Sequence, residues 1–187
     1  MPSATQLTTG KVRFSYCTLF TPRAIKEGDQ PKYSVTLLIP KSDKATLAKI
    51  NGAVEAAKDA YMKKNPGKKL PTAMKISMHD GDGERVNGGE FGEECKGHYV
   101  MTVSSKNPPV VIYADKTPLT DPQELYSGCY GRVVINFYVY DFQGNKGVSA
   151  GLNGVMKLYD GEPLAGGVVR DEDWDTDYAD DDDNLLG

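Results

Sequence analysis

Two histidines, three cysteines and a scatter of carboxylates are the side chains of this 187-residue chain that could run a reaction or hold a metal. His79 and His98 have no cysteine or acid at the spacings that metal ligation uses. Cys17, Cys95 and Cys129 are widely separated and form no Cys-x-x-Cys, which speaks against a zinc site or disulfide scaffold and for a reducing compartment. Asp80-Gly-Asp-Gly-Glu84 opens like a calcium loop. That loop then needs Gly at its sixth place and Glu at its twelfth, where this chain has Arg85 and Phe91. There is no Ser-centred elbow, Walker A loop or GxGxxG. The expectation is a protein that is not an enzyme and takes no cofactor and no metal. A metal nuclease built on Asp80, Asp82 and Glu84 is the catalytic alternative.

Tyrosine interleaved with lysine and arginine points to a different chemistry. Single-stranded nucleic acid is held by cations that follow its phosphates and by aromatic faces that stack its bases. The chain has eleven tyrosines, and a phenol tolerates exposure when unbound better than a phenyl ring does. The sharpest stretch is Arg132 to Phe142. Its alternation puts Val133, Ile135, Phe137 and Val139 on one side and Arg132, Val134, Asn136, Tyr138, Tyr140 and Phe142 on the other. Arg132, Tyr138 and Tyr140 are therefore the first candidates for binding single-stranded DNA. Arg13, Lys32, Tyr33, Tyr99, Lys106, Tyr113, Lys116 and Lys146 follow.

Those side chains need strands to present them. Gln143-Gly-Asn-Lys146 is turn chemistry, and Gly147 to Tyr159 returns as a second strand with Val148, Ala150, Leu152, Met156 and Leu158 on one face. Gly147, Gly151 and Gly154 suit a strand that bends or bulges to close a barrel. Further strands are predicted at 11–20 (Val12, Phe14, Tyr16 and Phe20 on one side), 33–40, 98–105 and 110–113. Between the second and third, Ser42 or Asp43 caps a helix over about 43–65 whose stripe is Leu47, Ile50, Val54, Ala57 and Tyr61. Residues 66–97 read as irregular, apart from a short apolar piece around Met74 to Met78.

The formal charge of −4 conceals an asymmetry. Residues 171–187 carry nine acids, among them Asp171, Glu172, Asp173, Asp180, Asp181, Asp182 and Asp183, with no base. The rest has 17 acidic against 22 basic side chains, about +5. The tail is too charged to order itself and is expected to be disordered. It acts as a tethered polyanion that competes with DNA for a basic groove and, with Trp174, recruits partner proteins. The first residues lack an apolar signal core and no run is long enough to span a membrane, so a cytoplasmic protein with no membrane partner is expected.

Tyr33 to Lys41, Gly97-His-Tyr99 with Ser104-Ser-Lys106, Ser127-Gly-Cys-Tyr130, Asp141 to Asn153, and Asp160-Gly-Glu-Pro-Leu164 form a set of recognisable segments. Together they resemble a bacteriophage and prophage family of single-stranded-DNA-binding proteins long catalogued as of unknown function. The resemblance covers nearly all of 11–167. It implies a mainly β protein: an OB-fold five-stranded curved barrel with one α-helix, a domain at 1–167 and an acidic tail at 168–187. It also implies work in phage DNA replication, recombination or repair, with replication or recombination proteins bound through the tail. Related tails end in an aromatic or hydrophobic tip, whereas Asn184-Leu-Leu-Gly187 follows the acids here. A homodimer is left open. The competing readings are a virion structural or assembly protein whose tail binds another protein, and an OB module for RNA or duplex.

Overall fold

The computed structural model describes residues 3–24, 27–71, 74–85 and 88–164. In chain order the strands are β1 (Gln6–Thr8), β2 (Val12–Arg23), β3 (Lys32–Pro40), β4 (Lys75–Ile76), β5 (Met78–Asp80), β6 (His98–Ser105), β7 (Val110–Tyr113), β8 (Tyr130–Phe142) and β9 (Asn145–Tyr159). One helix, α1 (Lys44–Lys64), lies between β3 and β4. The five strands of eight or more residues close a ring. β8 pairs β2, β2 pairs β3, β3 pairs β6, β6 meets β9 in parallel at Ser104 and Gly151, and β9 returns antiparallel to β8. This is the five-stranded curved barrel of an OB-like fold. The four short strands pair along its edges.

The barrel interior is filled by the alternating apolar residues the sequence marks: Val12, Phe14, Val35, Leu37, Ile39, Met101, Val103, Val133, Ile135 and Phe137, each buried. Asp43 caps α1 by accepting from the Thr46 N–H at 3.1 Å. Ile50, Ala53, Val54 and Ala57 of α1 join the barrel core, so the helix plugs the ring.

Two strands depart from simple alternation, each at a bulge. In β2 the register slips between Ser15 and Thr18, and Tyr16 takes a left-handed φ of 48°. That extra residue reverses the phase, so Tyr16 is thrown out to 67% exposure instead of joining Val12 and Phe14, and Leu19 turns in. In β9 the slip falls where Val134 pairs Gly154 and Ile135 pairs Leu152. Beyond it Val155 and Lys157 face inward, while Met156 and Leu158, expected inside, are only half-buried. The expected irregular stretch 66–97 also contributes β4 and β5.

Gly131 sits where β2, β8 and β9 meet. A β-carbon there would run into the Met156 carbonyl and the Phe14 ring, neither of which can yield. Gly131→Ala is expected to cost about 3 kcal/mol, read as a lowered urea midpoint at unchanged slope.

Lys157 is 5% exposed, yet its ammonium is held by Glu124 Oε2 at 2.8 Å and Asp160 Oδ1 at 2.6 Å above the Tyr126 ring. Burial alone would lower the Lys157 pKa, but the bonds to Asp160 and Glu124 outweigh it and hold it above its ordinary value. The same bond to Lys157 holds the Asp160 carboxyl below its ordinary value. A depressed carboxyl contributes stability above its unfolded pKa and loses it as pH falls. A raised lysine keeps its contribution until strongly alkaline pH. Lys157→Met should therefore flatten the fall in stability below about pH 4 while changing neutral stability by less than about 1.5 kcal/mol. Urea midpoints across pH 3–7 check this.

Candidate nucleic-acid interface

The outer face of the barrel shows where the candidate residues meet. On β3 the residues facing away from the core are Lys32, Ser34 and Thr36; on β6 they are Thr102 and Ser104. Thr36 and Thr102 share a hydroxyl hydrogen bond of 3.1 Å. A cavity of about 440 Å³ lies over this floor, with Tyr16, His79, Arg85 and Phe91 among its walls. The Arg85 guanidinium stacks 5.4 Å from the centre of the Phe91 ring. At one end Leu38, Cys95, Val100, Phe91 and Leu164 form a small second core on the outside of the sheet and close the groove. This β3–β6 face corresponds to the strand face on which OB folds carry oligonucleotides.

At the open end, strand register gathers cations. Arg23 pairs with Lys32, and Tyr33 pairs with Ser105, which sets Lys32 opposite Lys106. All three are exposed, and none makes a salt bridge among the described residues. The surface then continues across β9. Gly151 is joined to Ser104 on one side and Asn136 on the other, and the Tyr138 ring lies beside it. Tyr140 lies so closely over Gly147 that any side chain there would strike its ring. Lys75 pairs with Gly147 from the other edge and is exposed. Tyr138 is 49%, Tyr140 38% and Phe142 68% exposed. Three strand spacings, about 14 Å, thus carry the face from β3 to the tyrosines on β8. Glycines on β9 leave room for the rings, and the cations of β3, β6 and β4 lie across β9 from them.

The remaining candidates are placed differently. Arg132 lies six residues from Tyr138, about 20 Å along the strand. Its Nε–H donates to the Thr9 carbonyl at 2.9 Å, and it lines a separate apolar cavity of about 260 Å³ with Val110, Ile112, Val134 and Met156. Arg13 spends its guanidinium on the Gly128 and Glu162 carbonyls, 3.1 and 2.6 Å away. Tyr33 is half-buried and follows the inward phase of Val35 and Leu37. Tyr99 and Tyr113 pack against the core, with the Lys41 ammonium 5.3 Å from the Tyr99 ring centre. Lys116 is exposed in the turn after β7, at φ 70°. Lys146 donates to the Lys69 carbonyl at 2.9 Å. Asp80 and Asp82 are both tied to Lys41 at 2.6 Å, and that contact holds both carboxyls below their ordinary values. Among the described residues no group of three or more potential ligands is placed to hold a metal. The tail residues Asp171, Glu172, Asp173, Trp174, Asp180, Asp181, Asp182 and Asp183 lie outside the described residues.

Tyr16, Arg23, Lys75, Arg85 and Phe91 extend the set read from the sequence. The only local signal for any of them is that the alternation running through Tyr16 breaks just after it, at Thr18 and Leu19.

A family model described as the single-stranded-DNA-binding protein of Enterobacter phage Enc34 matches residues 5–186. The chain belongs to this family. It is 28% identical to a solved structure of the single-stranded DNA-binding protein of bacteriophage Enc34 in complex with ssDNA, with TM-score 0.72 over 86% of this chain and 89% of that one. Against another solved structure of that protein the values are 29%, 0.68, 90% and 88%. A protein called "Putative protein p50" of Acyrthosiphon pisum secondary endosymbiont phage 1 is 30% identical over 164 residues, 84% of this chain and 85% of that protein. The gp2.5 protein of bacteriophage T7, 16% identical at TM-score 0.58, shares the fold. No helix among the described residues is long and apolar enough to cross a membrane.

Proposed function

We propose that this protein binds single-stranded DNA without sequence preference during phage DNA replication, recombination or repair, in the host cytoplasm and without catalysis. The observation that carries this reading is the continuous outer face from the hydroxyl-floored groove, past Arg23, Lys32 and Lys106, to Tyr138 and Tyr140 over their glycines. Spaced cations with exposed rings beside them match a strand whose charge repeats and whose bases are unpaired. Duplex DNA hides its base faces and would gain only the charge term. A gel-shift series with single strand, duplex and RNA of equal length tests this. Retardation of single-stranded DNA alone, weakening with salt at a log–log slope near −0.7 per phosphate, is expected. Equal retardation of duplex would rule the reading out.

The acidic tail competes for that face and offers itself to replication or recombination proteins when DNA displaces it. Leu164 is anchored at the closed end of the groove, its N–H bonded to the Ser127 carbonyl at 3.0 Å. The seven residues from there to Asp171 reach about 23 Å when extended, and the groove from Val100 to Lys106 is about 20 Å long. The acids can therefore reach the cations. With an effective concentration of ~1 mM and a tail affinity of ~0.1 mM, deleting 171–187 should tighten DNA binding about tenfold at low salt. Fluorescence anisotropy of a labelled oligonucleotide measures it, and unchanged affinity would remove the tail from the groove.

A further inference from the structure

Away from the DNA face, β1, β8, β9 and β7 lie side by side in that order. Thr8 pairs with Val134, Val134 with Gly154, and Gly154 with Val110; one pleat further on, Arg132 pairs with Met156 and Met156 with Ile112. Gly154 is the low point of this surface. A β-carbon there would make only ordinary contacts, the nearest with the Val110 carbonyl at 3.6 Å and the Val134 side chain at 3.8 Å. The missing side chain leaves the cavity of about 260 Å³ floored by Val110, Ile112, Val134 and Met156. Val110 is 65% exposed and the other three are half-buried. Arg132 is the one cation of the lining. Its Nε–H is fixed by the Thr9 carbonyl, while its terminal amino groups make no hydrogen bond or salt bridge among the described residues. Thr8 and the Gln6–Asn153 pair, bonded at 2.9 Å, add polar atoms at the rim.

We propose that this cavity holds the Trp174 ring of the chain's own acidic segment, with Arg132 taking the carboxylates of Asp173 and Asp175. Chemistry selects the occupant. One cation beside an apolar hollow suits a single large ring with opposite charge next to it. It suits a nucleic-acid strand poorly, because a strand needs cations at intervals. Trp174 is the chain's one tryptophan and stands between two aspartates, and the rim oxygens offer acceptors for its indole N–H. Reach allows the contact. Met156 and Leu164 are eight residues apart and so at most about 28 Å, whereas the ten residues from Leu164 to Trp174 extend to about 34 Å. Leu164 packs on the outside of the sheet with Leu38, so the segment need not cross the barrel. Tethering at an effective concentration of ~1 mM fills a site of dissociation constant ~0.1 mM to about nine-tenths. What the anchor does for the tail rests on the function proposed above. Asn136, Gly151 and Ser104 lead from the cavity to the open end of the groove, a path of about 20 Å. Asp180 stands six residues beyond Trp174, a reach of about 20 Å. Anchoring the ring therefore brings Asp180 to Asp183 within range of the groove cations.

Because there is a single tryptophan, fluorescence of the full chain reports this one ring. Its emission is expected to be blue-shifted from that of a free peptide spanning residues 168–180, with acrylamide quenching weaker by about threefold or more. Gly154→Val puts a side chain into the hollow without a clash, and should return both readings to the peptide values at an unchanged urea midpoint. Val110→Glu, on an exposed side chain, should do the same by repelling the aspartates. Saturating single-stranded DNA and dilution should both leave the ring shielded. Peptide-like emission from the unsubstituted chain would overturn the proposal, as would shielding that survives either substitution in a folded protein. Shielding lost on adding DNA would put the ring in the DNA groove, and shielding lost on dilution would put it on another copy; either result overturns it too. Gel shifts are read separately: a chain that shields its tryptophan but does not retain single-stranded DNA refutes the function and not the anchor.

Discussion

Replacing Arg23, Lys32 and Lys106 together by alanine is expected to weaken single-stranded DNA binding about 50-fold at roughly 0.15 M salt and to reduce the salt slope by about 2. The figure follows from counterion release. Each phosphate neutralised on a single strand contributes about 0.7 to the slope, and three such contacts at that salt multiply to this factor. The three side chains sit on adjacent strand ends, are exposed, and make no salt bridge among the described residues. Their removal should therefore leave the urea midpoint nearly unchanged. Anisotropy titrations across a salt series separate the outcomes. A lower affinity with an unaltered slope would mean that these cations act through the fold and not through phosphate.

That cluster also shows where a sequence stops being legible. The strands and helix were readable because their periodicities are local: Val133, Ile135 and Phe137 alternate, and Ile50, Val54 and Ala57 keep helical spacing. Lys32 and Lys106 were readable as individual cations. Their meeting with Arg23 was not, because it is set by a β3–β6 register that joins residues 72 positions apart. Lys75 is brought to Tyr140 by a two-residue strand with no periodicity of its own. Tyr16, Met156 and Leu158 depart from their expected face for one physical reason: a single inserted residue inverts every side chain after it, and the sequence shows only the glycine or the break that permits the insertion. Arg132 was grouped with Tyr138 by alternation alone. Alternation says which face a residue occupies, not how far along that face it lies.

That last distinction can be measured. Tyr138→Ala with Tyr140→Ala removes two exposed rings that lie over glycines, where they cover no core side chain. At about 1–3 kcal/mol per stacked base, the pair should cost ~2–6 kcal/mol of binding, a hundredfold or more at the centre of that range. The loss of cross-strand packing on Gly147 and Gly151 should cost no more than about 1 kcal/mol of stability. Arg132→Ala should behave in the opposite way. It gives up the hydrogen bond to the Thr9 carbonyl and so destabilises by about 1 kcal/mol, while affinity stays within about threefold because the guanidinium lies ~20 Å from the rings. Paired denaturation and binding curves for the two variants place the DNA on one part of the barrel. If the arginine variant lost the affinity and the tyrosine variant kept it, the strand would run through the apolar cavity by β1 and β7, and the face with the glycine-bedded rings would need another partner.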